Sequence, residues 1–231
     1  MIKALLTIDD VSSKNTTAIV DYLCEKNITA IMFMVGEWAQ KFPDELVYAL
    51  KHGMIVGNHS YSHQFFSELS FEECKAEIDK NEEVLDRFYA EAGVERKYRP
   101  FRFPYGDKGG ENKEKIQEYL AEKGFNKVKD TMLFYPRWKE MGLDKDIDTF
   151  WTFDFEEYKI RKGSGFTSED VIKRIYGQNE EYGAPLLQDG NNHFLLIHAH
   201  DETEELAPGY FMTFIDELLK NGVEFVTPEF F

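Results

Sequence analysis

The chain has 231 residues, a length that suits one domain or two small ones, and 43 carboxylates against 27 cations give it a formal charge of −16. That excess of negative charge repels phosphate backbones, which excludes nucleic acid and anionic membrane surfaces as expected partners. Hydrophobic residues at 42% and aromatics at 15% can fill a sizeable core, so wholesale disorder is excluded as well.

Apolar, β-branched-rich runs alternate with helix-period segments along the whole chain. In order, the strand candidates are Ile2–Ile8, Ile28–Val35, Met54–Gly57, Tyr98–Phe103, Asn126–Thr131, Thr149–Phe153, Phe194–Ile197 and Val223–Val226. Between them the periodicity predicts helices over Lys14–Lys26, Glu37–Lys51, Phe71–Glu91, Asn112–Lys123, Ser168–Tyr176 and Gly209–Lys220. The second of these is expected to break at Pro43, which restarts a helix at its first turn. Ser70-Phe-Glu-Glu73 reads as a capping box that opens the longest helix. Asn27, Gly53, Gly93, Gly124 and Gly222 stand where helices should stop in a left-handed residue. The polar stretches Lys139–Asp148 and Lys159–Gly165 read as loops. Repeated strand–helix units imply a parallel α/β sheet, and up to eight strand candidates favour its closure into a barrel. No repeat, low-complexity tract or linker interrupts the pattern, so residues 1–231 are expected to form a single domain.

Two further exclusions follow. Cys24 and Cys74 sit in helix-like stretches, where they are expected as two buried thiols with neither a disulfide nor a ligand role. The longest apolar run, Ile28–Val35, falls short of the roughly 20 residues of a membrane helix. Met1–Ile8 leads straight into Asp9-Asp10 without a cleavage region, so a soluble, cytoplasmic chain is expected.

The reactive side chains collect at strand ends. Asp9-Asp10 follows the first strand, His59-Ser-Tyr-Ser-His63 the third and Arg102-Phe-Pro-Tyr105 the fourth. Asp154 follows the sixth and His198 the seventh. In parallel β/α architectures the carboxyl ends of all strands open on one rim, so these five clusters should converge. A strand would hold His59 and His63 roughly 13 Å apart. One helical turn instead brings them to about 6 Å, within reach of one ion, although two turn-forming histidines fit the spacing equally. Two imidazoles and Asp10 leave an open coordination position, the layout of a catalytic metal site, while Asp9 can stay free beside the bound water. His198 ends an apolar strand and is either a chemical group or a buried, hydrogen-bonded histidine. The His198-Ala-His200 pair is a rival ligand spacing. Pro104 stiffens the loop that presents the Tyr105 N–H as an oxyanion donor. Arg102 can pair with a buried carboxylate such as Asp9, or form an ordinary surface ion pair. His52 and His193 read as structural.

Thr7-Ile-Asp-Asp10, His59-Ser-Tyr-Ser-His63, Arg102-Phe-Pro-Tyr105 and Leu196-Ile-His198 occur in the order of the polysaccharide deacetylases, the chitin- and peptidoglycan-deacetylase-like carbohydrate esterases, which the chain resembles from about residue 4 to residue 228. The resemblance implies a distorted (β/α) barrel of seven or eight parallel strands with its active site on the strand C-terminal rim. It implies one divalent ion, zinc foremost and cobalt, manganese or nickel as alternatives, held by Asp10, His59 and His63. It further implies Asp9 as general base oriented by Arg102, Tyr105 as oxyanion donor through its N–H, and His198 as general acid. Asp154 joins this set through its place after the sixth strand. The fourth block departs from the pattern. The family has Asp-x-x-Asp-Trp, whereas this chain has Asp154-Phe-Glu-Glu157-Tyr158, which leaves open the groove wall there and the carboxylate that tunes His198. The implied activity is removal of N-acetyl groups from an amino-sugar oligo- or polysaccharide. Hydrolysis of another small amide (a ureide, an imide or an N-formyl sugar) and a non-catalytic carbohydrate-binding role are the alternatives.

Overall fold

A computed structural model describes residues 1–177 and 185–231. Six strands form one parallel sheet: β1 (Ile2–Val11), β2 (Ile31–Met34), β3 (Ile55–Asn58), β4 (Phe153–Asp154), β5 (Asn192–His198) and β6 (Val223–Phe225). Nine α-helices lie among the described residues: α1 (Thr16–Glu25), α2 (Gly36–Ala39), α3 (Pro43–Lys51), α4 (Phe71–Ala92), α5 (Lys113–Glu122), α6 (Pro136–Glu140), α7 (Ser168–Tyr176), α8 (Asp201–Leu206) and α9 (Tyr210–Lys220). Pro43 opens α3, and the Ser70–Glu73 capping box opens α4. All five expected stop residues, Asn27, Gly53, Gly93, Gly124 and Gly222, lie in the left-handed region. The segments α6 and α8 are additions to the reading above, too short to show a helical period. Cys74 is buried as expected, but Cys24 is exposed, on the outer side of α1. No described helix is long and apolar enough to cross a membrane.

The sheet order is β3-β2-β1-β5-β4, and β6 pairs with the start of β1. β1 is central and buried at every position but Lys3, as a parallel strand covered on both faces must be. Its residues alternate between two cores. Ala4, Leu6 and Ile8, with Met32, Met34, Leu195 and Ile197, face the surrounding helices. Leu5, with Ile31, Phe33, Phe194 and Leu196, faces the inside of the ring.

Between β3 and β4 the ring closes through irregular chain. Asn58 N–H donates to the Pro100 carbonyl at 2.9 Å, and Arg102 N–H to that of Asn58 at 3.0 Å. Thr149 N–H donates to Phe101 at 2.7 Å, and Thr152 N–H to Phe194 at 2.9 Å. The barrel is therefore distorted, with six regular strands rather than the seven or eight expected. Tyr98–Phe103 makes only an isolated bridge between Phe101 and Asn58, because Pro100 removes a donor that a ladder needs and Pro104 follows directly. Asn126–Thr131 carries Lys127, Lys129 and Asp130 beside its single aliphatic Val128, too polar for a strand buried on both faces. It bridges the C-terminal Phe230 in the antiparallel sense instead. The Pro100 crossing also requires Gly57: a Cβ there would stand 2.7 Å from the Pro100 carbonyl oxygen.

Helix α4 grips the chain where it leaves β3. Asn58, fully buried, donates to the Ile78 carbonyl at 3.0 Å and to Glu82 Oε1 at 2.9 Å. Its Oδ1 accepts from Ser60 N–H at 2.8 Å and from Asn81 Nδ2 at 2.9 Å. Asn58→Ala would remove all four bonds, including the one that holds Ser60 N–H, and is expected to lower stability by about 3 kcal/mol. Urea titration checks this as a lower midpoint at unchanged slope.

Candidate active site

The inner face of the barrel ends in chemistry. On β1 the inward row runs Leu5, Thr7, Asp9, and on β5 it runs Phe194, Leu196, His198. Asp9 and His198 are register partners, so both point into the mouth. Strict alternation would send Asp10 outward. A register shift between Ile8 and Val11, with Asp10 at φ +62°, breaks the alternation and brings both carboxylates to the same mouth. Aspartate is among the few residues that tolerate this conformation.

His59 and His63 meet without the helical turn expected from their spacing. The loop takes left-handed residues at Ser60 (φ +63°) and His63 (φ +59°) instead. It is held by Ser60 Oγ, which accepts from His63 N–H at 3.1 Å, and by Glu77 of α4, which accepts from Ser62 N–H at 2.7 Å. The two imidazole centres lie 5.0 Å apart. His59 Nδ1 donates to the Arg102 carbonyl at 2.8 Å; a carbonyl can only accept, so a proton is fixed on Nδ1 and Nε2 is the nitrogen turned to the mouth. Burial lowers the pKa of His63 to about 4, so its imidazole is neutral at pH 7.

These nitrogens face Asp10. Its Oδ1 is 3.3 Å from His63 Nε2 and 3.8 Å from His59 Nε2. Oδ1 is buried with no hydrogen-bond partner among the described residues. Burial alone would raise the Asp10 pKa, but a hydrogen bond from His200 and the nearby imidazoles hold it well below the usual carboxylate range. A tetrahedral ion with ligand bonds of about 2.1 Å separates its ligand atoms by about 3.4 Å. The orphaned oxygen, the two imidazole nitrogens and their spacing therefore fit a divalent ion. Asp154, Glu157 and His198 form a second group of possible ligands, but Glu157 Oε1 is already bonded to His198 Nδ1 at 2.9 Å.

Two charged groups flank this centre. On one side Arg102, fully buried, bonds Asp9 Oδ1 at 2.7 Å and Thr7 Oγ1 at 2.8 Å through Nη1. Its Nε donates to Thr149 O at 3.0 Å, so the expected Arg102–Asp9 pair is an interior one, with Asp9 Oδ2 turned to His59 at 3.4 Å. On the other side His198 is gripped twice by Glu157 Oε1, from Nδ1 at 2.9 Å and from the backbone N–H at 2.6 Å. Burial pulls the His198 pKa down, yet the Glu157 charge and hydrogen bond outweigh it and push the value up to about 10. Burial pushes the Asp154 carboxyl up to about 7; its Oδ1 accepts from Glu156 N–H at 2.8 Å and it makes no hydrogen bond to His198.

A cavity of about 440 Å³ joins the two sides, walled by Trp38, Tyr105, Trp151 and Tyr158. Tyr105 adopts φ +59°, and among the described residues its N–H has no acceptor. Its exposed ring stacks on Phe65 at 3.9 Å. The mouth thus gathers every site residue expected from the sequence. Glu157 and His200 are the members that sequence reasoning did not place. For Glu157 the signal was present, a carboxylate three residues beyond Asp154 in the altered block. His200 showed only as half of a His-x-His spacing.

The family profile for polysaccharide deacetylases matches residues 2–128. A peptidoglycan-N-acetylglucosamine deacetylase of Bacillus cereus is 37% identical over 103 residues, 44% of this chain and 36% of its own length. Chitin deacetylase 1 of Cryptococcus neoformans var. grubii is 29% identical over 222 residues, 94% of this chain and 41% of its own. The chain therefore spans less than half the length of either relative. The solved chitin deacetylase of Colletotrichum lindemuthianum superposes with a TM-score of 0.65 at 20% identity, covering 97% of this chain and 84% of that one, a likeness of fold. With more than half of its length matched by that profile, the chain belongs to the polysaccharide deacetylase family.

Proposed function

We propose that this protein is a metal-dependent hydrolase that removes N-acetyl groups from an amino-sugar oligo- or polysaccharide. One observation supports this most directly: the orphaned Asp10 Oδ1 faces two imidazole nitrogens between a buried Asp9–Arg102 pair and a Glu157-bound His198. Asp10, His59 and His63 would hold the ion, for which nitrogen and oxygen donors suit zinc first, with cobalt, manganese or nickel as alternatives. When bound, such an ion acidifies a water and polarises an acyl oxygen.

The chain's own groups supply the proton transfers. Asp9, oriented by Arg102, takes a proton from the water that attacks the acetyl carbonyl carbon. The developing oxyanion receives the free Tyr105 N–H, a donor type worth about 3 kcal/mol. His198, protonated well above neutral pH through Glu157, gives its proton to the departing amine nitrogen as the C–N bond breaks. Acetate and a free amino sugar leave. Asp154 borders His198 and would keep its surroundings polar. Trp38, Tyr105, Trp151 and Tyr158 offer ring faces on which a sugar can stack.

Asp9→Asn is expected to keep one ion per chain and to lose at least about 100-fold in kcat for acetate release from N-acetylglucosamine oligomers. His63→Ala should instead lose the ion, read as a fall in the metal-to-protein ratio. Retained activity in Asp9→Asn would contradict the assignment of the base.

The Glu157–His198 pair fixes the sign of two pH effects. The His198 pKa is raised from its usual 6.5 to about 10 in the folded chain, so the native state holds the extra proton between those values. The metal-free protein should therefore lose stability as pH rises from about 6.5 to about 10, measurable by urea titration at several pH values. Glu157→Gln removes the stabilising negative charge and should shift the alkaline limb of the activity profile at least one pH unit towards acid.

A further inference from the structure

The carboxylate of Asp10 has two oxygens with different surroundings. Oδ1 is buried and bare towards His59 and His63, whereas Oδ2 meets His200 Nε2 at 2.6 Å. Among the described residues His200 is the only side chain that hydrogen-bonds this carboxylate. His200 is itself anchored from two directions. Ala199 N–H donates to the Asp9 carbonyl at 3.1 Å, which ties the end of β5 to the end of β1. The Tyr210 hydroxyl, buried at the start of α9, donates to the His198 carbonyl and accepts from His200 N–H at 3.3 Å. The imidazole therefore stands at a fixed place, between the main cavity and a neighbouring one of about 410 Å³ that Trp38 and Arg161 also line.

We propose that His200 is a positioning residue for Asp10: its Nε2–H holds Oδ2 and so turns Oδ1 alone towards the two ligand imidazoles. The inference rests on reading Asp10, His59 and His63 as an ion site. The need for such a clamp follows from the backbone. Asp10 sits in a left-handed bulge, where the strand no longer dictates the direction of its side chain. A carboxylate held by no hydrogen bond could rotate, and forms that turn both oxygens away from the imidazoles would have to be reversed before an ion could bind. Neighbours of this kind typically alter metal affinity by 10–100-fold.

The test is competition for Zn²⁺ between a chromophoric chelator and the metal-free full chain, for the unmodified protein, His63→Ala, two variants without a donor (His200→Leu and His200→Phe), and His200→Gln. Glutamine offers an N–H at nearly the same reach. The expected result is 10–100-fold weaker Zn²⁺ binding in whichever donor-free variants retain cooperative thermal unfolding, and recovery to within about threefold of the unmodified protein in His200→Gln. Native affinity in a folded donor-free variant would overturn the proposal while His63→Ala still abolished binding. Failure of both donor-free variants to fold would overturn it too, since His200 would then serve the fold and not the carboxylate. No Zn²⁺ uptake by the unmodified protein would instead sink the ion-site reading itself.

Discussion

A β-strand delivers its side chains to alternate faces, and this protein's site needs two consecutive carboxylates on the same one. The exit of β1 resolves the conflict with a single left-handed residue. Asp9 keeps the inward parity of Leu5 and Thr7, and the bulge at Asp10 turns the next carboxylate back to join it. The rest of the site is arranged around that local break. Arg102 reaches across the barrel to hold Asp9, and its own carbonyl sets the proton on His59. The loop carrying His63 closes over Asp10 through two left-handed residues of its own. Backbone conformations of this sort persist only where surrounding bonds over-determine them, and in the His59–His63 loop Asn58, Glu77 and Ser60 Oγ supply those bonds.

Buried ion pairs of opposite polarity stand at the two ends of the cavity. At one, a buried guanidinium stabilises a carboxylate; at the other, a buried carboxylate stabilises an imidazolium. A carboxylate at one end and an imidazolium at the other suit a base and an acid working together. Neither pair is strong evidence of stability, because desolvating each charge costs much of what the pairing returns. Their arrangement is better explained by what the mouth does than by what the fold requires.

Much of this is legible in the sequence, for identifiable reasons. Apolar runs with helical segments between them give the parallel α/β order, and the reactive clusters fall at strand ends because that is where parallel strands open on one rim. The capping box at Ser70, the restart at Pro43 and the stop at Gly93 are local chemistry and hold as read. What escapes depends on single torsions or on contacts far apart in sequence. The spacing of His59 and His63 suggests a helical turn, but positive φ at Ser60 and His63 gives the same convergence by another route. Tyr98–Phe103 has strand-like residues yet closes the barrel irregularly, because Pro100 within it cannot donate. Glu157 lies 41 positions from His198 and still reaches it, which no spacing argument could decide. His200 acts on a residue 190 positions away, a relation carried only by the register of β1 against β5.

The central claim is that the orphaned oxygen at the break in β1 and the imidazoles of His59 and His63 share one ion. Anomalous diffraction at the zinc edge, from crystals grown with Zn²⁺, tests it most directly. The account predicts a single strong peak about 2.0–2.2 Å from Asp10 Oδ1, His59 Nε2 and His63 Nε2. A peak seated between Asp154, Glu157 and His198, or none within reach of Asp10, would contradict it.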